Sequence, residues 1–408
     1  MNSGTLVEVK GLGYGSKPIF KPSHQACSDT PIQPNYVFVQ RTTALPSVWS
    51  GSETFVDFEI PQQLGIVDQL IVRFQLNLSF VGGTTPSITL PPTPFWCSRV
   101  EEYIGNDLLS TTYANEQYNE AVGFLDATEL EQRGGAMNLP STSGYIDYGN
   151  GTIPTGVSYY YLPLVASSFN TMNPCVAGFN AKLRVRLYFP SSIIASTSGS
   201  PTSTSFSLTD CVLIARELKN PYIQQIISSH KNGVVDYNTI VRERQIDQTT
   251  LTQNVTTPFY LRSFKNDSAG ILTYITDQSP SNADLYKRFP VQDIQIFDNV
   301  NNKITELTRR DFNAPFMWND AVGSAYTTSL TNSHVLITPF SADFRKTADT
   351  GCDYGKRALT TLEKLSLTPD SSSSNYYGSK AVYNISYSYG HVVVSEGNHI
   401  IQMTSTAK

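Results

Sequence analysis

Apolar and polar residues alternate one for one in several stretches of this chain, and the longest stretch runs from Gln69 to Phe80. Leu70, Val72, Phe74, Leu76, Leu78 and Phe80 alternate with Gln69, Arg73, Gln75, Asn77 and Ser79; only Ile71 breaks the polar set. Period two over that length predicts a β-strand with one face on a core and the other largely in water. Six such side chains at ~1.5–3 kcal/mol each contribute on the order of 10 kcal/mol of burial, as an upper bound. The same alternation marks Val56, Phe58 and Ile60, then Leu183, Val185, Leu187 and Phe189, then Tyr383, Ile385, Tyr387 and Tyr389. Shorter apolar runs predict strands at 95–104, 159–165, 212–214, 237–244, 258–264, 270–276, 289–298, 335–338, 359–367, 391–395 and 400–403.

A helical period replaces the alternation in two places. Mid-chain, Asn220 suits an N-cap and Pro221 the first helical position, where a missing N–H costs nothing. Leu218, Tyr222 and Ile226, with Ile223 and Ile227, fall at i, i+4 and give one apolar face. His230 and Lys231 sit where the last carbonyls favour cations, and Gly233 is expected to end the helix at positive φ. The second pattern covers 115–133, with Tyr118, Ala121, Val122 and Leu125 on one side. Thr128 and Glu131 match a capping box there. Residues 82–94, 137–156, 191–207 and 370–375 read as polar loops.

Around the mid-chain helix the pattern occurs twice. A strand ending in a polar turn (Val100 to Gly105; Val291 to Asn299) precedes a long loop and a late alternating strand (Leu183 to Phe189; Val382 to Tyr389). This is a weak repeat at domain scale. It divides the chain into an N-terminal arm or lead-in (1–50), a first β domain (51–217), a connecting helix (218–233) and a second β domain (234–408). A length of 408 residues is ample for two cores.

Charged residues are only 15%, and Ser, Thr, Asn, Gly, Pro and Tyr fill the gap, as an all-β protein with long polar loops requires. The net charge is −5, and basic residues occur as pairs such as Arg309-Arg310 rather than runs. Strong direct nucleic-acid binding is therefore not expected. The five cysteines are widely spaced and odd in number, so reduced thiols in a cytosol are expected, and no secretory signal or membrane-spanning run is seen.

Catalytic chemistry finds no foothold. Gly11-Leu-Gly-Tyr-Gly15 lacks the Lys-Ser/Thr of a phosphate loop. Asp349-Thr-Gly351 matches the aspartic-protease tripeptide, but Cys352-Asp-Tyr-Gly355 follows where an apolar strand is needed. Glu101 and Glu102 are adjacent on a strand and point to opposite faces. No catalytic, cofactor-binding or metal-ligating residues are assigned, and no cofactor or enzyme activity is expected.

The order of elements resembles the double jelly-roll major capsid proteins of the tectivirus–adenovirus lineage, with the closest likeness to the tectivirus type. The resemblance is carried by Leu64-Gly-Ile-Val-Asp-Gln-Leu-Ile-Val-Arg-Phe74, Arg99-Val-Glu-Glu-Tyr-Ile-Gly105, Tyr159-Tyr-Tyr-Leu-Pro-Leu164 and Lys182-Leu-Arg-Val-Arg-Leu-Tyr-Phe189. In the second half it is carried by Cys211–Ile227 and Val291-Gln-Asp-Ile-Gln-Ile-Phe-Asp-Asn299. It covers roughly residues 52–400 and lies in order and spacing rather than in any one motif. It implies two consecutive eight-stranded antiparallel jelly rolls with a short connecting helix and long loops. It also implies a structural protein of the virion, made in the host cytoplasm. The implied partners are two further copies in a homotrimer of pseudo-hexagonal outline, neighbouring capsomers, minor capsid proteins and, where the shell encloses one, an internal membrane.

Three other readings stand beside this one: a minor vertex or penton protein, a carbohydrate-binding β-sandwich adhesin, and a glycoside hydrolase, which should bring paired carboxylates and more than three Trp. Within residues 1–50, Leu6, Val7, Val9, Ile19, Phe20 and Phe38 are more apolar than a solvated tail requires. The segment is expected to form an arm along the base of the trimer, with a short strand near 36–40. A disordered tail, or an extra strand of the first roll, are the alternatives.

Overall fold

The computed structural model describes residues 33–124, 134–139, 149–219, 222–252, 254–289, 291–308, 335–341, 344, 356–369 and 378–403. The first half opens with β1 (Gln33–Val39), β2 (Thr54–Glu59), β3 (Ile66–Val81), β4 (Ser87–Leu90), β5 (Arg99–Ile104) and β6 (Asp107–Tyr113). Helix α1 (Ala114–Phe124), β7 (Gly151–Ile153), β8 (Gly156–Pro163), the short helix α2 (Ser168–Met172), β9 (Leu183–Phe189), β10 (Ser196–Ser198) and β11 (Ser203–Lys219) follow. Helix α3 (Ile223–Asn232) leads into the second half. There the strands are β12 (Val234–Leu251), β13 (Thr257–Tyr260), β14 (Asp267–Asp277), β15 (Val291–Asp298), β16 (Lys303–Thr308) and β17 (Val335–Pro339). The last are β18 (Arg357–Ala358), β19 (Leu362–Pro369), β20 (Gly378–Ser395) and β21 (Asn398–Met403).

Each half is a sandwich of two antiparallel sheets. The first half pairs its strands as β1-β11-β3-β8 and β2-β9-β5-β6, the second as β12-β20-β14-β17 and β13-β19-β15-β16. With β4, β7, β10, β18 and β21 set aside as additions, the remaining strands of each half run in one identical spatial order. The first, eighth, third and sixth form one sheet; the second, seventh, fourth and fifth form the other. Two interlocked Greek keys of this kind make a jelly roll, and the chain is two of them in series.

Alternation explains the inner faces. In β3, Val72, Phe74, Leu76 and Leu78 are buried, and Arg73, Gln75 and Asn77 are not. They meet Leu183, Val185, Leu187 and Phe189 of β9 in the first core, where Trp96 packs 5.4 Å from Phe74 between ring centroids. The second core gathers Ile271, Ile275, Ile294, Ile296, Leu365, Leu367 and Val382.

Several expectations are corrected. The short strand expected near 36–40 of the lead-in is β1 (33–39), and it pairs with β11 from Gln33↔Lys219 to Val39↔Leu213 as a strand of the first roll, the alternative to an arm for this part of residues 1–50. The stretch 191–207, read as loop, contains β10 and the start of β11, whose Ser and Thr side chains face water on an edge. The loop readings at 82–94 and 137–156 likewise hide β4 and β7, which pair with each other. Residues 95–104 are not one strand: a 3-10 turn over Thr93–Trp96 precedes β5. The mid-chain helix begins at Ile223, Leu218 belongs to β11, and Tyr222 at the cap position gives no side-chain cap. Gly233 is extended (φ −148°), because the chain passes straight into β12 rather than turning back. The proposed caps Asn220, Pro221, Thr128 and Glu131 lie outside the described residues.

Candidate functional site: the seam between the rolls and their outer faces

Helix α1 leaves β6 and lies across the outer face of the second roll's sheet β12-β20-β14-β17. Its Tyr118, Ala121 and Val122, with Phe95, Met137 and Leu139, pack on Ile240, Leu272, Tyr274, Ile337, Ile385 and Tyr387. A polar network runs through this apolar contact. Arg242 of β12 donates through Nε and Nη2 to the two oxygens of Glu120 on α1 at 2.9 and 2.8 Å, with neither side chain more than 1% exposed. Tyr387 donates its hydroxyl to the same carboxylate at 3.0 Å, and burial pushes its pKa well up. Burial alone would lower the Arg242 pKa, but the Glu120 charge outweighs it and the guanidinium stays ionised. Arg288 of the second roll donates to Asn119 and Asn115 of α1 at 3.1 and 2.8 Å.

Glu102, the inward-facing member of the Glu101-Glu102 pair, is buried beside this network. It accepts hydrogen bonds from the hydroxyls of Ser110 and Ser167 and from the Ser168 N–H. Burial raises its pKa, against the pull of those donors and of Arg242. Ser168 and Thr171 of α2 then bond directly to the β12 backbone and side chains: Ser168 Oγ donates to Ile240 O at 2.9 Å, and Thr171 Oγ1 lies 3.1 Å from Thr239 Oγ1.

Glu116 on α1 is buried too and accepts from the Tyr113 N–H at 2.7 Å. Burial raises its pKa from 4.5 to about 8, opposed by that N–H and by Arg244 and reinforced by Glu120. The folded chain therefore holds this proton where the unfolded chain has lost it. Its contribution to stability is full below about pH 4.5 and is lost as the pH rises to about 8. In Glu116→Gln, the fall in melting temperature between about pH 5 and 8 is expected to be shallower than in the unaltered protein. Equal slopes in a thermal melt series would count against this assignment.

The connecting helix is locked to both rolls. His230 is fully buried; its Nδ1 lies 2.7 Å from Ile226 O and its Nε2 contacts the Tyr237 hydroxyl, which also accepts from Cys175 N at 3.0 Å. Gly178 of the first roll passes so close that an added Cβ would stand 2.6 Å from the His230 ring. Lys231 donates to Asn180 Oδ1 at 2.7 Å, and the Asn180 amide donates to Glu396 O at 3.0 Å in the β20–β21 turn. Val235, Tyr237, Val392 and Val394 of the second half complete the first core. The rolls thus share buried structure.

The outer sides of the first roll carry aromatic and arginine side chains. On β2-β9-β5-β6, Arg186 pairs with Asp57 at 2.7 Å and lies over Phe55, while Arg99 stacks on Tyr188 with its Cζ 3.5 Å from the ring centroid. On β1-β11-β3-β8, Arg73 lies between the rings of Phe38 and Tyr159.

Among the described residues no group of His, Cys, Asp and Glu is arranged to hold a metal ion, and no helix is long and apolar enough to cross a membrane. Gly11–Gly15 and Asp349–Gly351 lie outside those residues, as do Cys27 and Cys352. Cys97, Cys175 and Cys211 are buried thiols outside any disulfide, and burial raises the pKa of Cys97 and Cys211. The seam was invisible in the sequence because its partners are far apart, Glu120 and Arg242 by 122 positions.

Two sandwiches of identical strand order, joined through α1, α2 and α3, define a double jelly-roll protein. No family model and no curated protein matches the sequence. Solved structures do match the fold. The PBCV-1 VP54 structure fitted into a reconstruction of the virophage Sputnik aligns with a TM-score of 0.64 at 12% identity, covering 91% of this chain and 97% of that one. The Faustovirus major capsid protein aligns at 0.55 and 10%, over 92% of each chain. The mavirus major capsid protein aligns at 0.53 and 10%, over 91% and 90%. Identity this low carries the fold, and carries it over nearly the whole of each chain.

Proposed function

We propose that this chain is the major capsid protein of an icosahedral DNA virus, and that three copies form a pseudo-hexagonal tile of its shell. The observation that carries the reading is the pair of rolls with one strand order, held together by a buried seam, in a fold that the Faustovirus and mavirus major capsid proteins match over at least 90% of each chain. Two similar rolls per chain and three chains supply six similar wedges, and a cyclic arrangement closes without loose ends. A vertex protein built on one roll fits less well. The other partners are neighbouring capsomers and minor capsid proteins, and the place of action is the virion. With a net charge of −5 and no basic run, packaged nucleic acid is not a direct ligand of high affinity.

Light scattering of the purified protein tests the reading. The expected mass is three times the 45.1 kDa of one chain; a monomer at micromolar concentration would contradict it. In the same reading, residues 1–32 form an arm that acts between tiles. Deleting them leaves β1 intact, so trimers are expected to persist while shells fail to assemble. Normal shells from the shortened chain would refute the arm.

A further inference from the structure

The cover that the first roll lays over the second is held by an uneven set of charges. Helix α1 carries two buried carboxyl groups one turn apart, Glu116 and Glu120, and Glu102 of β5 is buried as well. Among the described residues only Glu120 has a cation at ion-pair distance, the guanidinium of Arg242. The other two arginines of the seam are engaged differently. Arg244 of β12 lies with its Cζ 3.1 Å from the Tyr113 ring centroid. Arg288, 5% exposed, donates to Asn119, Asn115 and the carbonyls of Leu285 and Lys287, and lies over Tyr118 and Tyr274.

Glu116 is left with one hydrogen bond, from the Tyr113 N–H at 2.7 Å. A buried carboxyl group with a single backbone donor and no cation in contact is stable as the neutral acid. Ionised, it would also stand one turn from the Glu120 carboxylate, and like charges at that spacing repel. Water would relieve both costs, and Glu116 reaches water only if α1 leaves the sheet β12-β20-β14-β17. The remaining titratable side chains packed at this seam are tyrosines: Tyr274 and Tyr387, whose pKa burial raises well above the ordinary value, with Tyr118, Tyr286 and Tyr383.

We propose that α1 is a proton-closed latch between the two rolls: Glu116 takes a proton from water when α1 seats on the second roll and returns it when α1 lifts off, with both sandwiches still folded. Opening of one helix without global unfolding is a sub-global event. The direction with pH follows from the closed state, where burial raises the Glu116 pKa from 4.5 to about 8. In the opened state the carboxyl meets water and returns toward 4.5. The closed latch is therefore fully favoured below about pH 4.5, and the open fraction grows roughly tenfold per pH unit from there to about pH 8. Burial raises the pKa of Glu102 too, so its exposure on opening would act in the same direction. The latch is a property of the single chain and does not depend on the capsid reading.

Hydrogen exchange of the unaltered protein, read by mass spectrometry and divided by the intrinsic chemical rate at each pH, tests the latch. Exchange in α1 is expected to rise on the order of a hundredfold between about pH 5.5 and 7.5, while β3, β9, β15 and β19 keep their protection. Glu116→Gln retains a carbonyl oxygen for the Tyr113 N–H and has no proton to lose, so its α1 protection is expected to stay flat over that range. Asp236→Asn, at a carboxylate 57% exposed on β12, is expected to leave the rise as it is. If Glu116→Gln does not fold, infrared difference spectra of the unaltered protein take its place. The C=O band of a protonated carboxyl, present at about pH 5.5, is expected to disappear by about pH 9, and its absence at the lower pH would overturn the proposal. Flat exchange in α1 of the unaltered protein, or an equal rise in Glu116→Gln, would overturn it too. So would a rise shared equally by α1 and the four strands, since that is unfolding of the whole chain rather than release of a latch.

Discussion

Glu120→Ala lowers the stability of the folded chain by about 3–5 kcal/mol, as expected when one partner of a buried ion pair is removed. The cost arises from what is left behind. Arg242 keeps its charge because a guanidinium does not shed its proton in a protein. It would then stand with full side-chain burial and without the carboxylate that balances its charge, while Nη1 keeps its bond to the Ile240 carbonyl at 3.1 Å. Tyr387 would lose its acceptor as well. Arg242→Met is expected to cost less, since an orphaned carboxyl can take up a proton and a guanidinium cannot lose one. Replacing Glu120, Arg242 and Tyr387 together by Leu, Met and Phe removes every orphan, and most of the stability is expected to return. Urea denaturation of the single and combined variants measures each step. Additive losses with no recovery in the triple variant would mean that the network does not act as a unit. The same series probes the link between the rolls, because Glu120 belongs to one and Arg242 and Tyr387 to the other.

Phe74→Asp is expected to abolish folding of the first roll. Phe74 is fully buried on β3, 5.4 Å from Trp96 and 6.4 Å from Phe189 between ring centroids, with Cys211 and Tyr160 beside it on the neighbouring strands. Truncating a buried Phe costs about 3–5 kcal/mol. A carboxylate in the same place has no partner, and its desolvation adds several kcal/mol more. Together these approach a typical total stability of about 5–15 kcal/mol. Asn77→Asp, three positions along the same strand on its exposed side, is expected to change stability by less than about 0.5 kcal/mol. Circular dichroism and melting of the two variants decide the matter. A cooperative melt from Phe74→Asp near that of the unaltered protein would contradict the core described here.

The alternation of β20 was readable from the sequence although its polar Asn384, Ser386 and Ser388 are buried; strands with one wet face were readable in β3 and β9. Their alternation survives folding because the first roll leaves one side of each sheet in water. β1 was harder, since Tyr36 and Phe38 point away from the core and Pro34 and Asn35 look like a turn. β6 escaped because Ser110 and Thr112 are polar yet buried, turned toward the seam rather than to solvent. β4, β7 and β10 are strands of three or four residues in a sheet of their own, too short to show a period in the sequence even though Ile88, Leu90 and Ile153 are buried. The Glu101-Glu102 pair was correctly split between two faces, but nothing local signalled that Glu102 would be buried among serines at the junction of the rolls. Long-range pairing of charges leaves no period in a sequence, so the seam could be found only in three dimensions.

Three copies of this chain are expected to form one tile with six similar lobes. Negative-stain images of the purified protein, averaged into classes, test it most directly. The expected view down the symmetry axis is a hexagonal outline with six lobes, one for each roll. Class averages with two lobes, as from a single chain, or with any rotational symmetry other than threefold or its six-lobed approximation, would contradict it.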